Sequence, residues 1–223
     1  MRLDLHIHTR YSGDGINPPW LIMKILRKRG LDGLAVTDHN TVRGWKSMQE
    51  SARRSGLFLI LGEEIKVYRE GKLSGEVIGL FLNEGIRRGD ALEVIDKIRQ
   101  QGGIVVIAHP FDSKKGFRNL DSFAGKIDAV EAFNSRLPSS AINDAAFAFA
   151  KRTGVGMTGG SDAHAPWEVG NAWTAAEASD LEEFRKALKT GKTRPSGRME
   201  SPAMHFASVM AMVPRKVGHL FEK

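Results

Sequence analysis

At 223 residues, with 41% hydrophobic and 26% charged residues, the chain is long enough to bury a sizeable core and short enough to be read as one domain. It has no cysteine, which excludes disulfides, thiolate zinc sites and a cysteine nucleophile, fits a reducing compartment, and leaves nitrogen and oxygen as the only metal donors. The net charge of +7 is unevenly placed: residues 1–183 are neutral, whereas 184–223 carry nine Lys/Arg against Glu200 and Glu222.

That basic segment reads either as a contact for an anionic partner such as a nucleotide, RNA or DNA, or as a solvated helix and tail. The opening Met-Arg-Leu-Asp-Leu-His lacks a signal-peptide core, and the apolar stretch 204–213 is too short to span a bilayer. A soluble, cytoplasmic protein with no membrane partner is expected.

In chain order, a predicted strand at 2–7 leads into His6-Ile-His8, followed by a helix at 18–29. A strand at 33–37 ends at Asp38-His39, with a helix at 41–54, and a strand at 57–61 runs into Gly62-Glu63-Glu64. Ile65–Tyr68 and Glu76–Phe81 flank Glu70-Gly-Lys and predict a hairpin. After a helix at 89–101, a strand at 104–108 ends at His109-Pro110, and one at 128–133 leads to Asn134-Ser135-Arg136. A helix at 139–152 precedes a strand at 155–158, beyond which lie Asp162 and His164. A helix follows at 181–190, and 191–197 reads as a turn or linker. Residues 199–223 have three readings: they close the barrel, pack as a helix on a partner chain, or stay partly mobile. The alternation predicts a parallel sheet or (β/α) barrel over 1–198, with 199–223 as a separate basic segment.

Five of the seven histidines, His6, His8, His39, His109 and His164, thus sit at strand ends beside Asp, Gly or Pro. Residues two apart on a strand share a face, so His6 and His8 can bind one ion together, and Asp162 with His164 repeats the spacing. The pattern points to a metal site. A bound divalent ion can activate water, so no protein nucleophile is needed, in keeping with the missing Gly-x-Ser-x-Gly elbow. Arg136, with Asn134 and Ser135, is a candidate for binding a substrate phosphate, against a surface arginine at a helix start. Asp38 reads as a carboxylate orienting an imidazole or as a helix cap. Trp167 reads as packing over the barrel mouth or stacking on a base.

His6-Ile-His8-Thr9 with Ser12-Gly-Asp14-Gly15, Thr37-Asp38-His39, Gly62-Glu-Glu64-Ile65, Ala108-His109-Pro110 and Gly160-Ser-Asp162-Ala-His164 together resemble the motif set of the PHP (polymerase and histidinol phosphatase) family, over residues 4–170. The resemblance implies a distorted seven-stranded (β/α) barrel with up to three divalent ions (Mn, Zn, Fe or Mg) at the C-terminal strand ends. It implies one ion on His6, His8, Glu64 and Asp162, a second on Glu64 and His109, and a third on Asp14, His39 and His164. Glu64 is preferred to Glu63 because the family pattern is Gly-x-Glu before an apolar residue. The chain departs from the family at Glu76, where members commonly have histidine. Either Glu76 is a ligand favouring Mn²⁺ or Mg²⁺, or it faces solvent.

The implied function is hydrolysis of a small phosphorylated metabolite, a nucleotide or the end of a short nucleic acid by metal-activated water. The Ser-Gly-Asp-Gly form of the first motif is similar to that of nucleotide-directed members. Two alternatives stand beside it: a non-catalytic PHP-like module binding RNA or a polymerase-type partner through the basic segment, and an amidohydrolase-like C–N hydrolase. The oligomeric state is left open.

Overall fold

The computed structural model describes residues 1–218, with side chains through Met212. Of the basic residues counted above, Lys223 and the side chains of Arg215 and Lys216 lie outside the described residues, as does His219.

Among the described residues nine strands form one sheet: β1 Arg2–Ile7, β2 Gly33–Val36, β3 Phe58–Arg69, β4 Lys72–Leu80, β5 Ile104–Ile107, β6 Ala129–Asn134, β7 Gly156–Gly160, β8 Ala172–Ala175 and β9 Arg194–Gly197. Their order is β7-β6-β5-β4-β3-β2-β1-β8-β9. Strands β1 to β3 run parallel, as do β5 to β7, while β4 is antiparallel to both β3 and β5. The described residues also form six α-helices: α1 Pro19–Lys28, α2 Trp45–Ser55, α3 Ala91–Gln100, α4 Ser140–Thr153, α5 Leu181–Lys189 and α6 Pro202–Gly218.

The helices start and stop for local reasons. Asp90, Ser139 and Asp180 cap α3, α4 and α5 by accepting from backbone amides, and α2 and α4 stop at Gly56 and Gly154, both in the left-handed region. Apolar residues at helical spacing, such as Ile22, Met23 and Leu26 of α1 or Val94, Ile95 and Ile98 of α3, are buried against the sheet. A second buried cluster draws Leu3, Leu5, Ala35, Ile60, Ile78, Leu80, Ile104, Val106 and Ala129 from six neighbouring strands, together with Phe184 and Leu188 of α5.

The sheet rolls up and nearly closes along the seam between β1 and the end of β7. Asp162 donates its amide to the His6 carbonyl at 2.8 Å, His8 donates to the Ala163 carbonyl at 3.0 Å, and Asn17 Nδ2 reaches both the His8 and Ala163 carbonyls. Thr174 of β8 adds a two-way hydroxyl bridge to the Gly159 backbone. Asp4 lies beneath the seam, fully buried, accepting from the amides of Ser161 and Gly170 at 2.9 Å each.

Four expectations change. The sheet has nine strands, not seven. Strand β3 runs unbroken through Gly62-Glu63-Glu64 into the hairpin, whose turn is Glu70-Gly71 with φ of 53° and 74°. Residues 194–197, expected as a turn, form edge strand β9, where Pro195 costs no ladder partner on its open side. Of the three readings of the C-terminal stretch, it forms α6, which rests on its own barrel: Ser208 and Met212 are buried, and Trp167 Nε1 donates to Ser208 Oγ at 2.8 Å. No helix among the described residues is long and apolar enough to cross a membrane.

The seam leaves no room for a side chain at Gly160, where an added Cβ would fall 2.3 Å from the His6 Cβ and 2.8 Å from its amide nitrogen. Gly160→Ala is therefore expected to lower stability by about 1–3 kcal/mol, the usual cost of overpacking. Urea unfolding in the presence of chelator measures this, and an unchanged midpoint would contradict a tight β1–β7 seam.

Candidate metal centre

The site gathers at one rim of the barrel. His6 lies on β1 and His8 just past it; His39 follows β2, His109 follows β5, and Asp162 and His164 follow β7. Glu64 and Glu76 come from mid-strand on β3 and β4, because that hairpin extends above the rim and flanks the cluster. Asp14 arrives from the loop after β1. Two of these residues sit in the left-handed backbone region that side chains disfavour, His109 at φ 27° and Asp162 at φ 53°. Both are held there by hydrogen bonds, His109 N to Glu131 Oε2 at 2.9 Å and Asp162 N to the His6 carbonyl.

The donor atoms converge at separations that suit shared cations. His6 Nε2 and His8 Nε2 are 3.1 Å apart, each is 3.4 Å from Glu64 Oε2, and Asp162 Oδ1 is 3.5 and 3.2 Å from them. Neighbouring ligands held at about 2.1 Å from one ion stand about 3.0–3.4 Å apart in octahedral or tetrahedral geometry. His109 Nε2 lies 3.2 Å from Glu64 Oε1 and 3.3 Å from Glu76 Oε2, and His39 Nδ1 lies 2.8 Å from Glu64 Oε2 and 3.7 Å from Glu76 Oε1. His39 Nε2 and His164 Nε2 are each 3.5 Å from Asp14 Oδ2.

Four overlapping groups have donors within 4.8 Å of one another: His8, Asp14, His39 and His164; His6, Glu64 and His109; His6, His8 and Asp162; and His39, Glu64 and Glu76. Several of these atoms are buried without a hydrogen-bond partner, namely both ring nitrogens of His39, Glu64 Oε2 and both oxygens of Glu76. Close approach without hydrogen-bond geometry is what lone pairs aimed at a common cation produce, so the donor set fits divalent ions.

Comparison with known proteins agrees with this architecture. Residues 4–145 match the family model described as PHP domain, and residues 142–193 match one described as PHP-associated. The chain belongs to the PHP family. Two proteins of Methanocaldococcus jannaschii are each 36% identical: MJ1587, over 66% of this chain and 89% of its own length, and MJ0417, over 82% and 73%. A 5′-3′ exoribonuclease of Haemophilus influenzae is 28% identical over 51% of this chain and 44% of its own. A two-domain protein of Bacteroides vulgatus, described as containing a predicted PHP-like metal-dependent phosphoesterase, superposes with a TM-score of 0.74 at 20% identity, covering 95% of this chain and 69% of that one. At that identity the likeness shows the PHP fold alone.

Within this PHP site, electrostatics bind the donors to one another. Burial alone would raise the Glu64 and Asp162 carboxyls, but the surrounding imidazoles, His39 and His6 for Glu64 and His6 and His8 for Asp162, outweigh it and hold both well below the usual carboxylate range. Burial pulls His109 down, yet Glu64 overrides it and pushes the ring up to about 9. His8 goes the other way, lowered by burial and by neighbouring His164 and His39.

Buried carboxylates outside the donor groups hold the frame. Glu131 accepts from His6 Nδ1, from the His109 amide and from Asn134 Nδ2, all at 2.9 Å, and so fixes two histidines that are 103 residues apart in the chain. Glu168 accepts from the His164 and Ala165 amides at 2.7 and 2.9 Å and from Arg136 Nε at 3.2 Å. Neither was assigned a role from sequence. A lone acid inside the apolar run Val130-Glu131-Ala132 was the available signal for the first; the second had none.

Several sequence expectations take a different form here. Both Asp38 oxygens accept from Thr9, at 2.6 Å from its amide and 2.7 Å from its hydroxyl, so Asp38 ties the His6-Ile-His8-Thr9 segment to β2 and neither orients His39 nor caps α2. Asn134 spends its amide on Glu131 and Asp162 and its carbonyl on the Arg136 amide, so it braces the cluster instead of facing substrate. Ser135 is buried and does not line the adjoining cavity. Arg136 does, together with Lys115, which was not foreseen and stands 3.7 Å from Glu76 Oε2. Glu76 is fully buried and does not face solvent. Trp167 packs toward α6.

Glu63 points to the opposite face from Glu64, accepting from the Ile86 amide at 2.8 Å, and burial pushes it up to about 7. Its pKa in the unfolded chain is about 4.3, so the folded state binds the extra proton between those values, and this contribution to stability falls as pH rises through the window. In chelator, Glu63→Gln is expected to gain stability relative to wild type from pH 5 to pH 7 while keeping wild-type metal uptake. Glu64→Gln is expected to lose metal by elemental analysis. Equal metal loss in both variants would contradict the opposite facing of these neighbours.

Proposed function

We propose that this chain is a divalent-metal phosphoesterase acting on a small phosphorylated molecule or on the end of a short nucleic acid. The observation that carries the reading is the set of overlapping donor groups, two of which share Glu64, beside a cavity of about 440 Å³ lined by His109, Asp162, Lys115 and Arg136. His6, His8, Glu64 and Asp162 would hold one ion, Glu64, His109 and Glu76 a second, and Asp14, His39 and His164 a third. Glu76 in place of a histidine makes the set richer in oxygen, which favours Mn²⁺ or Mg²⁺ over softer ions. Bound there, such ions supply an activated water and charge neutralisation for an in-line displacement at phosphorus.

The protein's own groups bind and orient. Arg136 is anchored through Nε to Glu168, leaving Nη2 buried and without a partner beside the cavity, ready to fork onto a phosphate oxygen. Lys115, now drawn toward Glu76, can add a second positive charge once ions neutralise the carboxylates. Glu131 keeps the His6 ring fixed while its Nε2 faces the other donors. The exoribonuclease name of one relative supports a nucleotide or nucleic-acid end as substrate. The complete donor set weighs against a purely structural module. The described outward side chains of α6 include Met204, Phe206, Val209 and Met210, whereas Arg185, Lys186, Lys189, Lys192, Arg194 and Arg198 of the basic segment precede this helix.

The test is hydrolysis of p-nitrophenyl phosphate, its bis-ester and adenosine 3′,5′-bisphosphate by Mn²⁺-loaded protein. Asp162→Ala is expected to lower turnover by more than about a hundredfold, beyond what loss of a merely supporting contact costs. Arg136→Ala is expected to raise KM by about ten- to a hundredfold with kcat little changed, as befits one charged hydrogen bond to bound substrate. Wild-type turnover in Asp162→Ala, or an unmoved KM in Arg136→Ala, would contradict the respective role.

A further inference from the structure

The cavity beside the cluster has a wall that the family models do not reach. They end at residue 193, whereas Pro202 and His205 of α6 line the space that opens onto His109 and Asp162. The helix is fastened in place: Ser208 receives the Trp167 indole, Glu200 donates its amide to the Ser135 carbonyl at 2.7 Å, and Met212 is buried. Lys114, Lys115 and Arg136 bring positive charge to the cavity lining and Asp112 and Glu200 negative charge, while Leu137, Pro138 and Pro202 supply apolar surface. His205 Nδ1 is buried without a hydrogen-bond partner, and burial together with the Arg136 charge keeps the ring below its usual pKa. The cavity volume of about 440 Å³ lies in the range of small-molecule sites and exceeds what a phosphate alone fills.

We propose that His205, with Leu137, Pro138 and Pro202, forms a specificity-determining subsite for an aromatic ring carried by the phosphate that Arg136 and Lys115 hold at the cluster. The flat imidazole and proline faces pack against an aromatic ring, and the unpartnered His205 Nδ1 can add one hydrogen bond at its edge. The inference rests on the phosphoesterase reading and extends it from the reacting phosphate to the rest of the substrate.

The experiment is calorimetric titration of the full-length, Mn²⁺-loaded protein with phenylphosphonate and methylphosphonate, which carry the same charged group, have no phosphoester bond to hydrolyse, and differ in the ring. Wild type is expected to bind the phenyl compound about tenfold more tightly. His205→Ala, at a half-buried position where folding is tolerant, is expected to bring that ratio close to one, and His205→Phe to restore most of it. Equal affinities in wild type, or an unchanged ratio in His205→Ala, would overturn the subsite while leaving phosphate binding at the cluster intact. Failure to bind either compound would overturn the phosphoesterase reading and the subsite with it.

Discussion

Four carboxylates, Asp14, Glu64, Glu76 and Asp162, are packed with five imidazoles at one rim of the barrel, and the rest of the structure follows from that confinement. Negative charge on this scale cannot be buried uncompensated. Glu64 is the hinge of the arrangement: one oxygen faces His109 and the other faces His6, His8 and His39. Glu76 shows the cost most directly, its carboxyl raised by burial and by Glu64. Cations relieve the strain, either as protons on the imidazoles, as the Lys115 ammonium 3.7 Å away, or as divalent metal.

The fold is organised to hold that charge in place. A parallel barrel brings the ends of β1, β2, β5, β6 and β7 together, and the antiparallel β3–β4 hairpin adds two carboxylates from mid-strand that a simple (β/α) repeat would not supply. Around the donors lies a ring of buried acids, Asp4, Asp38, Glu131 and Glu168, which accept mainly from backbone amides and fix the loops that carry the histidines. The left-handed backbone at His109 and Asp162 is tolerated because such contacts hold it.

Much of this was legible in the sequence. His6 and His8 could be paired from strand periodicity, and His39, His109, Asp162 and His164 from their places after apolar runs; the resemblance to the PHP family added Asp14, Glu64 and the question of Glu76. Contacts without local pattern were not legible. Glu131 reaches His6 across 125 residues, Glu168 sits in a short loop, and Lys115 lies in the segment after His109 with nothing at strand or helix spacing to mark it. Strands β8 and β9 escaped because Ala-Trp-Thr-Ala and Arg-Pro-Ser-Gly carry weak strand signals and pair only through the tertiary fold. Burial of Glu76 depends on the register that sets it opposite Lys66 and beneath the rim, which the hairpin's turn fixes but composition does not reveal.

We propose that neighbouring cations share Glu64. Electron paramagnetic resonance of the metal-free protein titrated with Mn²⁺ tests it directly, because ions sharing a carboxylate couple magnetically. Uptake beyond one equivalent is expected, with an exchange-coupled signal that Glu64→Gln abolishes. Saturation at a single equivalent, with the six-line spectrum of an isolated ion, would contradict it.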